Sequence, residues 1–538
     1  MNNISANNQK SCVVIFVILA VVAALFYSIF TQEAWEDFFI TFKFSKNLID
    51  GHGLVYDPDQ RIHGFTSPLG VLLPALCYLI MGKGSYYSAL WLFRIFSLAA
   101  YVGSYFILAR SFVLRNFKSY LPLVFFSILY IFEIKMLSFS MNGMETAFML
   151  LFLAWLVSLF DNNFTQRWLA GGLSWAGLMW TRPDGIIYIL AVAASTFLLG
   201  NFSRRKLIIA FLKMGITCAI VYLPWFLWTW FYYGTPIPHT IMAKAVFMQG
   251  DFKYLLQMWI LVIRNLFAPV YYVSSQWPGW IQPLYFSFGL FASFYWIFRT
   301  KDKDILGRTV SFIVFLMSLY LTITQIYPWY LPPVTMLALY VVIQAVFCGM
   351  EYLKKNDYVN RMVVYSLLLM FAGVFFYIFC FSMIQSRVHQ IVVEDGNRKQ
   401  VGLWLKEHVA EDERVYLEPV GYIGYFSEAK MLDFPGLVSP DVVRAIQEND
   451  GLNFYTLITV LEPEWIVVRP FEALEMQRQT IMKITYVSDG SSFHERVENY
   501  LDTHYSLVKT FSVADDILNY PFMAEQYDGE FMIFRKIH

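Results

Sequence analysis

The chain has 538 residues, is 58% hydrophobic and 19% aromatic, and carries only 15% charged residues. A soluble globular chain is roughly 45–50% apolar and about 25% charged, which excludes an ordinary water-soluble domain as the whole of this protein. Lys plus Arg and Asp plus Glu total 40 each, and the formal net charge of zero leaves no electrostatic case for nucleic acid.

From the N-terminus, the first apolar run, Cys12 to Phe30, looks like a signal peptide. It lacks a small-residue cleavage site before Trp35 and is therefore read as a retained first helix. Two adjacent acids, Glu36 and Asp37, follow inside an aromatic stretch. If residues 36–50 form a helix at about 100° per residue, Glu36, Lys43, Asn47 and Asp50 share a polar face, with Lys46 at its edge. Phe38, Phe42, Phe44, Leu48 and Ile49 make the other face, and Asp37 falls on it between Phe44 and Leu48. Glu36 is then expected to point to water and Asp37 to a less polar setting. Desolvation there would raise the pKa of Asp37 and make it the better proton acceptor. A helix starting after Asp37 would make it an N-cap instead, and a buried ion pair is the other structural alternative.

In "GHGLVYDPDQRIHGFTSPLG", Gly51 and Gly53 suit a helix end and a turn, and Asp57-Pro58-Asp59 a further turn. His52 and His63 are candidate ligands, although lone loop histidines are more often structural. The run 68–82 is short and broken by proline, so it is read as a juxtamembrane helix. Ten further apolar runs, at about 86–109, 120–140, 143–160, 168–181, 185–200, 207–231, 281–298, 309–326, 331–350 and 361–384, read as spans, making about eleven with the first. The segment 253–272 is left unassigned because Arg264 interrupts it.

The distribution of basic residues orients this set. With the N-terminus in the cytoplasm, the loops 110–119, 161–167, 201–206, 299–308 and 351–361 all lie inside, and each contains Lys or Arg. A spanning 68–82 would move all five of these loops outside and break the rule. The sequons at Asn163 and Asn201 then fall inside and read as chance. The same parity puts "MNGMET" (141–146), "TRPDG" (181–185), "FYYGTPIPHTIMAK" (231–244) and "IYPWYLPP" (326–333) outside with the opening loop 31–85. Polar residues at membrane level are expensive, so their gathering on one side suggests a site there, with ordinary loop chemistry as the alternative.

After about residue 385 the composition changes to that of a small soluble α/β domain, outside by parity. "VGLWLKEHVAEDE" reads as an amphipathic helix, "RVYLEP" and "EWIVVRP" as strands, and "SPDVVRAIQEN" as a helix capped by Ser439. The domains are therefore 1–384 and 385–538. All five cysteines lie at or before Cys380 in apolar segments, so the tail has no disulfide framework, and no CxxC metal pattern exists.

The ordered set "ED-F-I", "NL-x-x-G-H-G-L-V-Y-x-P", "G-F-T-S-P-L", "GMET", "TRPDG", "YYGTPIPHTIMAK" and "GYIGYFS…LDFPGLVSP" resembles the GT-C superfamily of polytopic, polyprenyl-phosphate-sugar-dependent glycosyltransferases. Within it, the set looks most like the terminal arabinofuranosyltransferase-like branch of bacterial enzymes. The resemblance implies an all-α polytopic bundle with two juxtamembrane helices in the first outer loop. It implies that the acid after the first span, Asp37, is the catalytic base, with Glu36 beside it. His63 stands where the family often has Glu, and His239 where it often has Asn.

The implied reaction takes a sugar from a polyprenyl-phosphate donor to a glycan or lipid hydroxyl at the outer face of a bacterial plasma membrane, with membrane lipids as surroundings. A base on the acceptor and charge stabilisation on the leaving phosphate are what it needs. Arg182, His239 and Lys244 are the candidates for the phosphate. Direct attack inverts the anomeric centre; Glu145 or Asp184 as a nucleophile would give retention, but both are preferred as orienting residues. Each candidate has a structural alternative. Arg182 pairs Asp184 in a plain turn, Lys244 sits at headgroup level, and Glu145 pairs with Lys135 or Arg182. Trp329 and Tyr330 are favoured as interfacial aromatics over a sugar platform. A divalent cation bridging the donor phosphate through Asp37 is left open. The competing classes are a transporter or flippase of a lipid-linked saccharide, which needs ionisable residues along a pathway, and a non-catalytic scaffold.

Overall fold

The computed structural model describes residues 6–58, 60–114, 121–160, 163–241, 252–269, 281–298, 305–324, 327–352, 358–449, 453–478, 481–486, 492–497, 500–521, 523 and 528–537. All eleven apolar runs are helical within these limits. Among the described residues, six helices are long and apolar enough to cross a membrane unaided. The run 120–140 is not one straight span. It divides into Leu121–Ile131 and Ile134–Met141, which meet at 52°. Glu133 causes the break: one carboxylate oxygen caps the second helix by accepting the Met136 N–H at 2.7 Å, and the other pairs with Lys135 Nζ at 2.7 Å. The unassigned segment begins as a helix, Phe252–Asn265, in which Arg264 sits at the last turn.

The first helix, α1 (Ala6–Thr31), is followed after four residues by α2 (Glu36–Asp50). Trp35 N–H bonds Asn142 O at 2.9 Å, which fixes where α2 starts relative to the "MNGMET" turn. The helix therefore includes Asp37 in its first turn, where unpaired N–H groups and the helix dipole favour an acid. It ends at Gly51, whose φ of 95° only glycine adopts freely and whose N–H caps Asn47 O. The run 68–82 becomes α3 (Pro68–Ile80), opened by Ser67, whose Oγ accepts the Gly70 N–H at 2.7 Å. Phe38, Phe39 and Phe42 of α2 are fully buried with Tyr78 of α3 and Phe93 of the following span. Each buried ring of this kind contributes roughly 1.5–3 kcal/mol.

The last apolar run continues beyond residue 384 as helix. Helix Tyr358–His389 continues through a π-helical stretch, Gln390–Arg398, into Lys399–His408, one unbroken rod of 49 residues from Asn360 to His408. The boundary expected between 384 and 385 thus falls inside a helix, with no linker. The tail builds a sheet from β1 (Arg414–Leu417), β2 (Lys430–Asp433), β3 (Trp465–Val468), β6 (Tyr505–Ser512) and β7 (Glu530–Lys536), in the order β2-β1-β3-β7-β6. The strands β4 (Ile481–Tyr486) and β5 (Ser492–Val497) form a separate antiparallel pair. Within the main sheet β1, β2 and β3 run parallel, and β7 and β6 antiparallel. Ser439 caps Pro440–Glu448 as the sequence predicts, accepting the Val442 N–H at 3.4 Å. One apolar cluster joins Ile40 and Phe44 of α2 to Val401, Leu405, Val415 and Ile423 of the tail, so the tail is packed on the base of the bundle's first loop rather than hung from it.

Candidate active site

A cavity of about 320 Å³ lies between the bundle and the tail. Every one of the five stretches that sequence parity places on one side contributes to it. The opening loop supplies Asp37, Ile40, Thr41, Thr66 and Ser67; "MNGMET" supplies Glu145; "TRPDG" supplies Arg182. "FYYGTPIPHTIMAK" supplies Thr240, and "IYPWYLPP" supplies Tyr327, Trp329 and Tyr330. The tail closes the remaining side with Glu418, Phe434 and Leu437.

Local chemistry explains the convergence. Gly143 has φ of 100°, and a Cβ there would sit 2.6 Å from the Phe38 ring, so only glycine lets the turn bearing Glu145 press on the helix bearing Asp37. Arg182 is buried between two helices. It reaches Asp184 Oδ1 at 2.9 Å and Glu145 Oε1 at 3.5 Å, and its guanidinium lies 4.2 Å from the centre of the Tyr330 ring. Arg182 therefore pairs with Asp184 within its turn and also lines the cavity. Of the two partners weighed for Glu145, the structure selects Arg182; Lys135 is taken by Glu133 and by Ala268 O. Trp329 and Tyr330, favoured as interfacial aromatics, line the cavity. They are held there by the aromatic chain from Tyr327, stacked on Trp329 at 4.6 Å, to Trp35, 5.9 Å from Trp329.

The two adjacent acids separate sharply. Asp37 is on the cavity wall. Glu36 does not point to water, as helical phase suggested. Its Oε1 accepts the Gly421 N–H at 2.6 Å, and its Oε2 takes the Tyr422 N–H at 3.4 Å and Arg398 Nη1 at 3.0 Å. The 100° between the two residues is as expected; what the phase could not supply is that the tail covers the polar face. Burial raises the Glu36 carboxyl, while Arg398 and the two amides work against that rise. Gly421 is required here, because a Cβ would lie 2.3 Å from Glu36 O. Lys43, expected on the same wet face, is buried as well. It bonds Asp57 Oδ1 at 2.9 Å and Gly424 O at 3.3 Å, above the Tyr56 ring.

His63 and His239 stand behind the cavity rather than on its wall. The His239 N–H bonds His63 O at 2.9 Å, and the His63 ring stacks on Tyr233 at 4.8 Å. Burial lowers the His63 pKa to about 4, so the ring is neutral near pH 7. Asp184 is not among the residues that line the cavity and is tied to it by its pair with Arg182. Lys244 lies outside the described residues. Among the described residues no group of three or more His, Cys, Asp and Glu side chains is arranged to hold a metal ion. Asp37, Glu145 and Glu418 are the carboxylates on the cavity wall that would face a cation bound with substrate. The mid-span ionisable groups are used within the bundle: Glu133 pairs with Lys135, and Arg94 bonds Met141 O at 2.8 Å and Glu33 O at 2.5 Å.

Sequence reasoning missed the partners of Glu36 and most of the tail wall. Glu418 and Phe434 lie in "EPVGYIGYFS…LDFPGLVSP", whose glycine and aromatic content does signal a segment pressed against the bundle. Asp433 shapes its second half by accepting the N–H groups of Leu437, Val438 and Ser439 at 2.5, 2.9 and 2.9 Å. Nothing local marks Arg398, which acts only through distant partners.

Residues 385–532 match a family described as "Domain of unknown function (DUF8728)". No curated protein matches the chain by sequence. Solved structures do match by fold. ArnT from Cupriavidus metallidurans bound to undecaprenyl phosphate is 11% identical, with 98% of each chain covered and a TM-score of 0.55. The archaeal oligosaccharyltransferase AglB from Archaeoglobus fulgidus, in complex with an inhibitory peptide and a dolichol-phosphate, is 13% identical over 95% of this chain and 81% of that one, with a TM-score of 0.59. AftD from mycobacteria, an arabinofuranosyltransferase, is 12% identical over 98% of this chain and 40% of that one; its TM-score of 0.48 is too low to bear on the branch. The chain thus has the GT-C fold: a polytopic helical membrane bundle carrying a C-terminal α/β domain.

Proposed function

We propose that the protein is an integral membrane glycosyltransferase with Asp37 as its general base. It moves a hexosyl or pentosyl group from a polyprenyl-phosphate donor to an acceptor hydroxyl on a cell-envelope glycan or lipid. The observation that carries this reading is the position of Asp37: it shares one cavity wall with Arg182 and with residues of all five stretches that polar character and parity assign to one face. In support, two proteins of the same fold have structures with a polyprenyl phosphate, ArnT bound to undecaprenyl phosphate and AglB in complex with a dolichol-phosphate.

In this reading the cavity opens to the outer face of a bacterial plasma membrane, with the N-terminus cytoplasmic and the tail outside. The acceptor hydroxyl gives its proton to the Asp37 carboxylate as its oxygen attacks the anomeric carbon. The bond from that carbon to the phosphate oxygen breaks with inversion, and the polyprenyl phosphate leaves with the electron pair. Arg182, held by Glu145 and Asp184, stabilises the charge on the departing phosphate. Lys244 and His239 remain candidates from sequence for that role, His239 by way of the loop that sets Thr240. A divalent cation, if the donor phosphate brings one, would be met by Asp37 with Glu145.

The test is transfer in proteoliposomes from a polyprenyl-phosphate sugar. Asp37→Asn should lower turnover by about 10²–10⁴-fold, the usual contribution of a general base, with an unchanged melting curve. Near-normal turnover would remove Asp37 from the role. Translocation of the lipid-linked sugar with no covalent product would replace the transferase by a flippase.

A further inference from the structure

A second cavity, of about 360 Å³, lies within the tail and shares Glu418 and Phe434 with the first. Its position follows from topology. Strands β1, β2 and β3 are parallel, and the residues that follow their carboxyl ends are Glu418, Phe434 and Arg469. The order β2-β1-β3 sends the chain to one side of β1 and then brings it back on the other. Crevices that bind ligands in parallel α/β sheets form at the carboxyl ends of strands where the order reverses in this way. All three residues line the cavity.

The wall also dictates what fits. Arg469 lies at the centre, with Nη2 on Glu418 Oε2 at 2.7 Å, Nη1 on Glu472 Oε1 at 2.8 Å and Nε on Asp528 Oδ1 at 2.6 Å. Burial works to raise the Asp528 carboxyl, but Arg398 and Arg469 hold it at about 2. Arg398 meets the other oxygen of Asp528 from outside the wall, so the cleft itself is lined by three carboxylates and one guanidinium, a balance that disfavours a phosphate or a uronic acid. The carboxylates leave oxygen lone pairs that accept hydroxyl hydrogens. Tyr455 and the half-exposed Phe471 add ring faces on which apolar C–H surfaces stack. The volume is at the small end of the roughly 300–1,000 Å³ typical of ligand pockets.

We propose that this cleft is the acceptor subsite. It binds a saccharide that carries no acidic group and passes that saccharide's end across Glu418 and Phe434 into the cavity of Asp37. Naming the occupant as acceptor rests on the glycosyltransferase reading; the cleft's preference for a neutral saccharide does not. The full chain in lipid nanodiscs, without donor, is titrated calorimetrically with hexasaccharides of glucose, mannose, galactose and arabinose, and with a galacturonate hexasaccharide. At least one neutral hexasaccharide should bind, the galacturonate should not, and Phe471→Ala should weaken the binding about tenfold while leaving the melting temperature in place. Asp37→Asn should bind as the wild type does. Absence of neutral binding, equal binding of the galacturonate, or wild-type affinity in Phe471→Ala overturns the cleft and leaves the base untouched. Active Asp37→Asn overturns the base and leaves the cleft untouched.

Discussion

The two sides of α2 carry the same chemistry into different fates. On one side, Asp37, Ile40 and Thr41 border open volume. On the other, Glu36 and Lys43 meet the tail, and each is tied to partners at 2.6–3.4 Å. Two neighbouring carboxylates thus become a group facing the cavity and a structural peg. A carboxylate that already accepts two amides and a guanidinium gains little as a base, because proton uptake would break those bonds. One with a face on a cavity is positioned to accept a proton from a ligand.

Exchanging the two acids is the sharpest way to break this contrast. Asp37→Asn should cost about 10²–10⁴-fold in transfer, whereas Glu36→Gln should cost less than about tenfold in turnover while lowering the melting temperature. Equal losses of transfer with equal melting curves would erase the division. The seam side is tested next by Gly421→Ala. With a Cβ placed 2.3 Å from Glu36 O, the overlap should destabilise by about 1–3 kcal/mol or more and expose the tail to limited proteolysis. A variant as stable as wild type would mean the seam has slack.

His63 sets the acid limit of the loop beside the cavity. Its folded pKa of about 4 lies below the roughly 6.5 of an unfolded histidine, so the unfolded chain binds more protons between those values. The stability from neutral His63 is complete above about pH 6.5 and is lost as pH falls through 4, about 3 kcal/mol in all. His63→Phe, which keeps the stack on Tyr233, should flatten that limb of a pH–stability curve; an unchanged slope would assign it to other groups. The smallest effect is expected from Lys43→Met. It strands Asp57 beneath the seam and should cost about 1–3 kcal/mol, read as a shift in melting temperature with transfer nearly intact.

Much of this was legible in the sequence. Apolar run length located the helices, Gly51 marked the end of α2, and the basic loops grouped the five stretches that meet at Asp37. What escaped was long-range. The phase of α2 separated Glu36 from Asp37 by direction but said nothing of the cover supplied by Gly421 and Tyr422, which lie 385 and 386 positions away in the chain. The break at Glu133 escaped because the run 120–140 is long and apolar enough to read as one span, and a capping acid inside it leaves no other mark. That Trp329 and Tyr330 also line the cavity escaped because interfacial and cavity-lining aromatics share one composition.

The rod from Asn360 to His408 makes the protein behave as a shaft with a blade fixed to it. At 1.5 Å and 100° per residue, removing a single residue between the last span and Arg398 would screw the whole tail round by about a quarter turn and pull it inward. Arg398 would swing off Glu36, and Glu418 and Phe434 would leave the wall opposite Asp37. Tail and bundle are therefore clocked, and the length of that helix is as much a specification of the site as any side chain in it.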